Sequence, residues 1–202
     1  MPVRMRITLL FTLLVFFILG LVCLSTYYFS YQSRIQSITT RLTNRAITTA
    51  RLLSQSGIFH RELVERIDSL TTLSLQNKSV QAYNFLGAKI YNYSDLYHDT
   101  VVVTREMLDD TRVNQSLYFT EKGKDIVSYY YTDANVKIVM ICAGRDVDGK
   151  RSLADLKSIL LLSFIAGLGV TFIGGFIFSS RLLTRIRKMT SEVTEISAYN
   201  LT

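Results

Sequence analysis

Two long apolar runs without a charged residue constrain the fold of this 202-residue chain more than any other feature. The first run extends from Ile7 to Phe29 and the second from Ile159 to Phe178. A bilayer core is ~30 Å thick and a helix rises ~1.5 Å per residue, so either run can cross a membrane as a helix. The sequence therefore predicts a membrane protein in which two transmembrane helices flank one central domain with its own core.

The flanks of the apolar runs predict the topology of the chain. The first run is longer than the ~7–15 apolar residues of a signal peptide, and no A-x-A-like cleavage site follows it, so we expect a permanent anchor. An aromatic cluster marks its outer end: Tyr27, Tyr28, Phe29 and Tyr31. Basic residues border the other ends: Arg4 and Arg6 before the first run, and Arg181, Arg185, Arg187 and Lys188 after the second. The positive-inside rule therefore predicts cytoplasmic termini and an external central domain.

Net charge and cysteine content argue against two other classes of protein. The charge of +7 is shared between the membrane flanks and a mildly basic central region, so no dense basic face for nucleic acid is predicted. Cys23 lies in the first apolar run and Cys142 in the central region. The two cysteines are therefore expected in different compartments, without a disulfide.

The first transmembrane helix is predicted to continue outward, because the helical pattern persists from Ser33 to Ser56. Its apolar positions recur at spacings near three and four: Ile35, Ile38, Leu42, Thr49 and Leu53. This stripe has two interpretations that do not exclude each other. It can pack on the central domain of its own chain, or it can form the seam of a parallel homodimer.

The rest of the central region predicts an α+β domain. We expect a helix from His60 to Leu75, another around Arg105 to Thr111, and five strands: Ser79–Phe85, Lys89–Tyr93, Ser116–Thr120, Ile126–Thr132 and Val136–Ala143. Short connections join the last three strands, so they are predicted to form an antiparallel meander. The order of elements resembles the extracytoplasmic PAS-like domains, in which a long helix precedes a five-stranded antiparallel sheet.

The histidines give no convincing chemistry. His60 is followed by Arg-Glu, which departs from the His-Glu of a kinase phosphoacceptor box, and it is expected outside the cell. His98 has Asp95 and Asp99 nearby, but three such residues without a further ligand are a weak metal signal. We therefore predict no catalytic, cofactor-binding or metal-binding residue in this chain.

Two further groups of side chains are interpreted as structural. Asp146-Val-Asp148-Gly149 lacks the remaining carboxylates of a calcium loop, and a solvated exit turn is favoured. Ser152 is predicted to cap the helix that follows. The tyrosines are interpreted as core in preference to a small-ligand pocket: Tyr91, Tyr93, Tyr97, Tyr129, Tyr130 and Tyr131.

The last segment carries a heptad pattern that resembles a known linker. Apolar residues at spacings of four and three form an a/d seam: Leu182, Ile186, Met189, Val193 and Ile196. With Glu192 and the terminal Asn200-Leu201, this segment looks like the first helix of a HAMP linker. That family usually has a proline where this chain has Arg185, so we expect a continuous helix. The glycines of the second apolar run suit close helix packing: Gly167, Gly169, Gly174 and Gly175.

Four short motifs extend the resemblance over the whole chain. They resemble membrane sensor histidine kinases of the Bacteroides type: Arg45-Ala-Ile-Thr-Thr-Ala-Arg-Leu-Leu, Lys78-Ser-Val, Ile90-Tyr-Asn-Tyr and Tyr131-Thr-Asp. The resemblance implies a homodimer in the bacterial inner membrane whose periplasmic domain senses an unknown ligand or envelope protein. It also implies a cytoplasmic kinase, expected downstream of this chain, that uses ATP and magnesium and passes phosphate to a response regulator.

The predicted organisation is a cytoplasmic segment 1–6, transmembrane helices 7–29 and 159–178, a sensor domain 30–158 and a partial HAMP linker 179–202. The favoured function is therefore signal input to a two-component histidine kinase. Two alternatives remain open at this point. The chain can belong to another HAMP receptor, such as a chemotaxis transducer or a cyclase, or it can be a stand-alone membrane-anchored binding protein.

Overall fold

A computed structural model describes residues 3–55, 61–70, 75–96, 101–133 and 136–199. Four helices and five strands follow in chain order: α1 Val3–Ser54, α2 Arg61–Leu70, β1 Gln76–Asn84, β2 Lys89–Ser94, α3 Arg105–Asn114, β3 Ser116–Glu121, β4 Lys124–Thr132, β5 Lys137–Arg145 and α4 Val147–Tyr199. The chain divides into two compact units. We call Tyr31–Ser152 the sheet domain, and Met1–Ser30 with Leu153–Thr202 the helix pair.

The sheet domain is built on one antiparallel sheet with strand order β2-β1-β5-β4-β3. The predicted α+β class, the five strands and the meander of β3, β4 and β5 are confirmed. Lys122 and Gly123 form the β3–β4 turn with φ angles of 49° and 77°. Tight hairpin turns often have a positive φ at both central positions, and glycine adopts a positive φ at the least steric cost. This turn sets the register that places Asp125 of β4 opposite Thr120 of β3.

One face of the sheet is covered by the second half of α1 and by α2. Ile38, Leu42 and Ala46 of α1 are buried against a core that includes Val64 of α2 and Tyr91 of β2. The interpretation that α1 packs on its own domain is therefore confirmed. Because this contact already buries Ile38 and Leu42, a seam with a second copy has to use other side chains, and the homodimer stays a prediction.

The opposite face of the sheet is covered by α3. Leu108 of α3 packs with Tyr83, Ile126 and Ile141, which point away from α1 because strand side chains alternate between faces. Polar groups inside this layer bond to each other. The Thr111 hydroxyl donates to the Ser128 hydroxyl at 2.8 Å, and other bonds link Tyr83 to Gln81 and Gln81 to the Val101 carbonyl oxygen.

The tyrosines largely follow the core interpretation. Tyr91 is 1% exposed, and three others pack partly buried against the same cluster: Tyr93, Tyr129 and Tyr131. Tyr130 packs against the α3 side of the sheet. Tyr97 lies outside the described residues.

Two helix boundaries differ from the predicted ones. α2 ends at Leu70 and does not reach Leu75, which instead packs in the core against the backbone of Gly144. α4 begins at Val147 and not after Ser152, so the predicted cap at Ser152 was wrong. The physical cause of the earlier start is the side chain of Asp146, described below.

The helix pair contains two helices that are long and apolar enough to cross a membrane, within Thr8–Ser54 and Val147–Arg181. Only 6% and 0% of their most apolar windows are buried, so neither is a covered core helix. The rings of Phe16 and Phe164 meet edge to face with centroids 5.3 Å apart. Two of the four glycines that were expected at close helix contacts lie in the contact between α1 and α4. Gly167 lies against Leu19, and Gly175 lies against Thr8 and Phe11. Gly169 and Gly174 have open space where a Cβ would be.

Candidate functional site

A buried charge network joins three elements of the sheet domain. The Arg34 guanidinium of α1 donates from Nη2 to Oδ2 of Asp125 at 2.9 Å and from Nε to Oδ2 of Asp146 at 2.8 Å. The side chains of Arg34, Asp125 and Asp146 are 12%, 2% and 8% exposed. Because these ion pairs have so little contact with water, their free energy depends strongly on the relative positions of the elements that hold them. We call these three residues the Arg34 network.

Local periodicity explains how each side chain reaches the network. Arg34 lies four residues before Ile38, so it shares the sheet-facing stripe of α1. Asp125 lies two residues before Val127 and therefore faces the same side of the sheet, toward α1. Asp146 directly follows β5 and precedes the first residue of α4.

Asp146 is also the N-cap of α4. Its Oδ1 accepts the backbone N–H of Gly149 at 2.9 Å, while Oδ2 accepts Arg34. A Cβ at Gly149 would overlap the Asp146 carboxylate, so glycine is the residue that leaves room for this arrangement. A carboxylate at a helix N-terminus satisfies a free backbone donor and interacts favourably with the helix dipole. These contacts explain why α4 begins at Val147.

Tyr118 and Lys150 extend the network. The Tyr118 hydroxyl donates to Oδ1 of Asp125 at 2.6 Å, so both carboxylate oxygens of Asp125 accept a bond. Burial, and then this hydrogen bond, raises the pKa of the Tyr118 hydroxyl above its usual value. Lys150 in the first turn of α4 donates from Nζ to the carbonyl oxygen of Gly123 at 2.7 Å. The start of α4 is thus bound to the β3–β4 turn as well as to α1.

The charges of the network are balanced without a metal. Two carboxylates face one guanidinium, and the N-terminus of α4 and the Tyr118 O–H supply the remaining positive potential. Within the described part of the chain, no group of three or more His, Cys, Asp or Glu side chains could hold a metal ion. The network contains no nucleophile with an adjacent base. What it can do is fix α1 and α4 to the same end of the sheet.

The predicted HAMP-like residues lie in α4 or beyond it. The backbone of α4 continues without a break to Tyr199, which confirms the predicted continuous helix through Arg185. It includes Glu192 and the heptad positions, whose side chains are not described: Leu182, Ile186, Met189, Val193 and Ile196. Asn200 and Leu201 lie outside the described residues, as do His60, His98 and Asp99. Their roles stay predictions.

The sequence analysis did not predict the Arg34 network. The expectation of a solvated turn at Asp146 was wrong, since this residue is 6% exposed and ion-paired. Two local signals were present: an arginine within the apolar stripe of α1, and an aspartate three residues before a glycine at a helix start. No local signal pairs them, because Arg34 and Asp146 are 112 positions apart.

No protein-family model matches the chain, and no curated protein matches it at a significant level. The class of protein is therefore described by the structure alone. It is an α+β chain whose first and last helices are each long and apolar enough to cross a membrane.

Proposed function

We propose that this chain is the sensing and signal-transmitting portion of a membrane receptor. In this proposal α1 and α4 cross a membrane within their apolar runs, and the sheet domain lies on the external side. The apolar surface of both runs supports the crossing, since side chains such as Leu10, Leu21 and Leu162 are more than half exposed. The basic flanks support the orientation.

The observation that carries the proposal is the Arg34 network. α1 and α4 are the two helices whose sequences continue from the sheet domain into the apolar runs. Arg34 binds both a sheet carboxylate and the cap of α4. A signal that shifts β4 relative to α1 therefore changes the position of the first turn of α4. Because a helix transmits displacement and rotation along its axis, that change reaches the other end of α4.

The finer form of the proposal is that the chain is the input portion of a two-component sensor histidine kinase. Its support is the likeness of the segment after Arg181 to a HAMP linker and the four motifs of the sheet domain. The receptor is then a homodimer in the bacterial inner membrane, with the sheet domain in the periplasm. ATP and magnesium belong to the downstream kinase domain, which acts on a response regulator.

The coding sequence that follows Thr202 separates this proposal from its alternatives. A His-Glu phosphoacceptor helix and an ATP-binding domain support the kinase. A long methylated coiled coil or a cyclase domain assigns the chain to another HAMP receptor. A stop codon, with stable expression of the chain, favours a membrane-anchored binding protein.

Labelling of single added cysteines tests the membrane topology. Lys122 lies in the exposed β3–β4 turn, and Met5 is exposed near the start of α1. In spheroplasts, a membrane-impermeant maleimide is expected to label Lys122→Cys at once and Met5→Cys only after lysis. The unmodified chain is the control, because Cys142 is buried and Cys23 lies in the first apolar run. Equal labelling of both variants before lysis would overturn the proposed topology.

A further inference from the structure

A groove of about 380 Å³ lies between α1 and α4 within the helix pair. Its walls are apolar for most of their length, with Gly20 and Leu24 on α1 and Leu161 and Phe164 on α4. Tyr27 and Lys157 line the same groove, and each of these side chains carries a polar group at its end. The groove is therefore amphipathic.

The missing side chain of Gly20 leaves the space for this groove. A Cβ at Gly20 would lie 3.9 Å from Phe164 Cε2, so a longer side chain there would enter the groove. The ring of Phe164 is fixed by its edge contact with Phe16. The Cys23 thiol donates to the Leu160 carbonyl oxygen at 3.9 Å, so the two helices also meet in the wall of the groove.

The polar residues lie where the proposed topology puts the external membrane interface. Tyr27 belongs to the aromatic cluster at the outer end of the first apolar run, and Lys157 precedes the second run by two residues. From Tyr27 to Gly20 the groove extends about 10 Å toward the membrane centre at 1.5 Å per residue. No carboxylate of the described residues forms an ion pair with Lys157, whose side chain is exposed.

We propose that this groove binds an anionic phospholipid of the outer leaflet, with one acyl chain between the helices and the phosphate on Lys157. The inference rests on the proposed function, because it requires both helices to span the membrane. An exposed ammonium group at headgroup level attracts an anionic lipid, and the Tyr27 hydroxyl donates to the same phosphate or glycerol oxygens. The bound lipid touches both helices, so it stabilises one arrangement of the helices over others. Lipid binding thereby changes the signalling output of the receptor.

Photolabelling of the full chain in vesicles tests the proposal. The probes are phosphatidylglycerol and phosphatidylcholine that carry a diazirine near the headgroup end of one acyl chain, and labelled peptides are mapped by mass spectrometry. Labels from phosphatidylglycerol are expected to concentrate within residues 20–27 and 157–164. Lys157→Gln is expected to lower that labelling about fivefold, the effect of one basic residue near an anionic surface, and to leave phosphatidylcholine labelling unchanged.

Two further variants sharpen the result. Arg151→Gln removes an exposed charge from the same helix outside the groove and is expected to change nothing. Gly20→Leu fills the groove and is expected to lower acyl labelling by both lipids. Equal labelling by both lipids, or no effect of Lys157→Gln, would overturn the proposal. Disulfide-linked dimers of Leu24→Cys would also overturn it, because they assign the groove to a second copy.

The maleimide assay on the same variants distinguishes the two possible failures. A chain that spans the membrane but takes up lipid label evenly along both helices refutes the lipid site and leaves the receptor proposal intact. A chain that fails the topology test refutes both.

Discussion

Arg34 is the residue on which the geometry of the sheet domain depends most. Removing its charge leaves the carboxylates of Asp125 and Asp146 buried and without a cation between them, and breaking a buried pair in this way costs ~3–5 kcal/mol. We therefore expect Arg34→Gln to lower the free energy of unfolding of the sheet domain by about that amount. Urea unfolding of the full chain in mild detergent, followed by near-ultraviolet circular dichroism of the tyrosines, measures it.

Arg41 provides the matched control for that experiment. Arg41 lies seven residues further along α1, where its side chain is exposed, so Arg41→Gln is expected to change stability by less than about 0.5 kcal/mol. Similar losses from both substitutions would mean that α1 tolerates no loss of arginine, and that the Arg34 network has no special role.

Gly149 is predicted to resist a substitution that usually stabilises helices. Alanine in place of glycine inside a helix normally adds ~0.5–1 kcal/mol. At Gly149 the added methyl overlaps the Asp146 carboxylate, so Gly149→Ala is expected to destabilise the sheet domain by ~1–3 kcal/mol through loss of the cap and the Arg34 bond. In an Asp146→Ala background the same change is expected to stabilise. A cost that persists in that background would contradict the overlap as its cause.

Because of Tyr118, the stability that the Arg34 network contributes is expected to fall at alkaline pH. The pKa of Tyr118 in the folded state lies above the ordinary tyrosine pKa of 10.0, so folding favours the protonated hydroxyl. The stability gained from its bond to Asp125 is complete below about pH 10 and falls as the pH rises through the folded-state pKa. Tyr118→Phe is expected to cost ~1.5–3 kcal/mol near neutral pH, and this difference from the parent chain should shrink above pH 10. Parallel unfolding curves at several pH values measure the difference, and a constant one would contradict the prediction.

At the scale of elements, α1 is positioned by a stripe of small and large side chains. Ala46 and Ala50 are 0% exposed and allow the helix to approach the sheet between Leu42 and Leu53. Ala46→Leu is therefore expected to overpack this contact and to destabilise the sheet domain by ~1–3 kcal/mol. Thr48→Leu, on the exposed face of the same helix, is the control. Equal unfolding free energies of the two variants would show that α1 does not pack as described.

The elements themselves were largely predictable, and their boundaries were less so. The strands from Ser116 onward followed from period-two patterns and turn residues, which are local properties of the chain. The start of α4 was misplaced because the sequence analysis assigned the cap to Ser152, whereas Asp146 also has a side chain that can cap a helix. Only the folded domain selects Asp146, by adding the Arg34 bond to its capping bond.

At the scale of the whole molecule, the receptor proposal predicts that the phase of α4 controls output. One residue inserted after Ser180 rotates every following heptad position by about 100° relative to the apolar run. We expect the insertion to change the basal output of the full receptor in a reporter assay. An insertion of seven residues at the same point restores the phase to within ~20° and is expected to leave output close to normal. Unchanged output from the one-residue insertion argues against coupling through a rigid helix.

The sequence alone determined the features that depend on neighbouring residues: the two apolar runs, the strands of the meander, and a helix that continues through Arg185 without a break. Hydrophobic periodicity encodes these features because each one satisfies its own backbone hydrogen bonds or pairs over a short turn. The tertiary structure decided which face of α1 is covered, where α4 begins, and that Arg34 meets carboxylates 91 and 112 positions away. Hydrophobic periodicity does not predict which distant residues form an ion pair, because a buried ion pair is fixed only when packing removes water from around it.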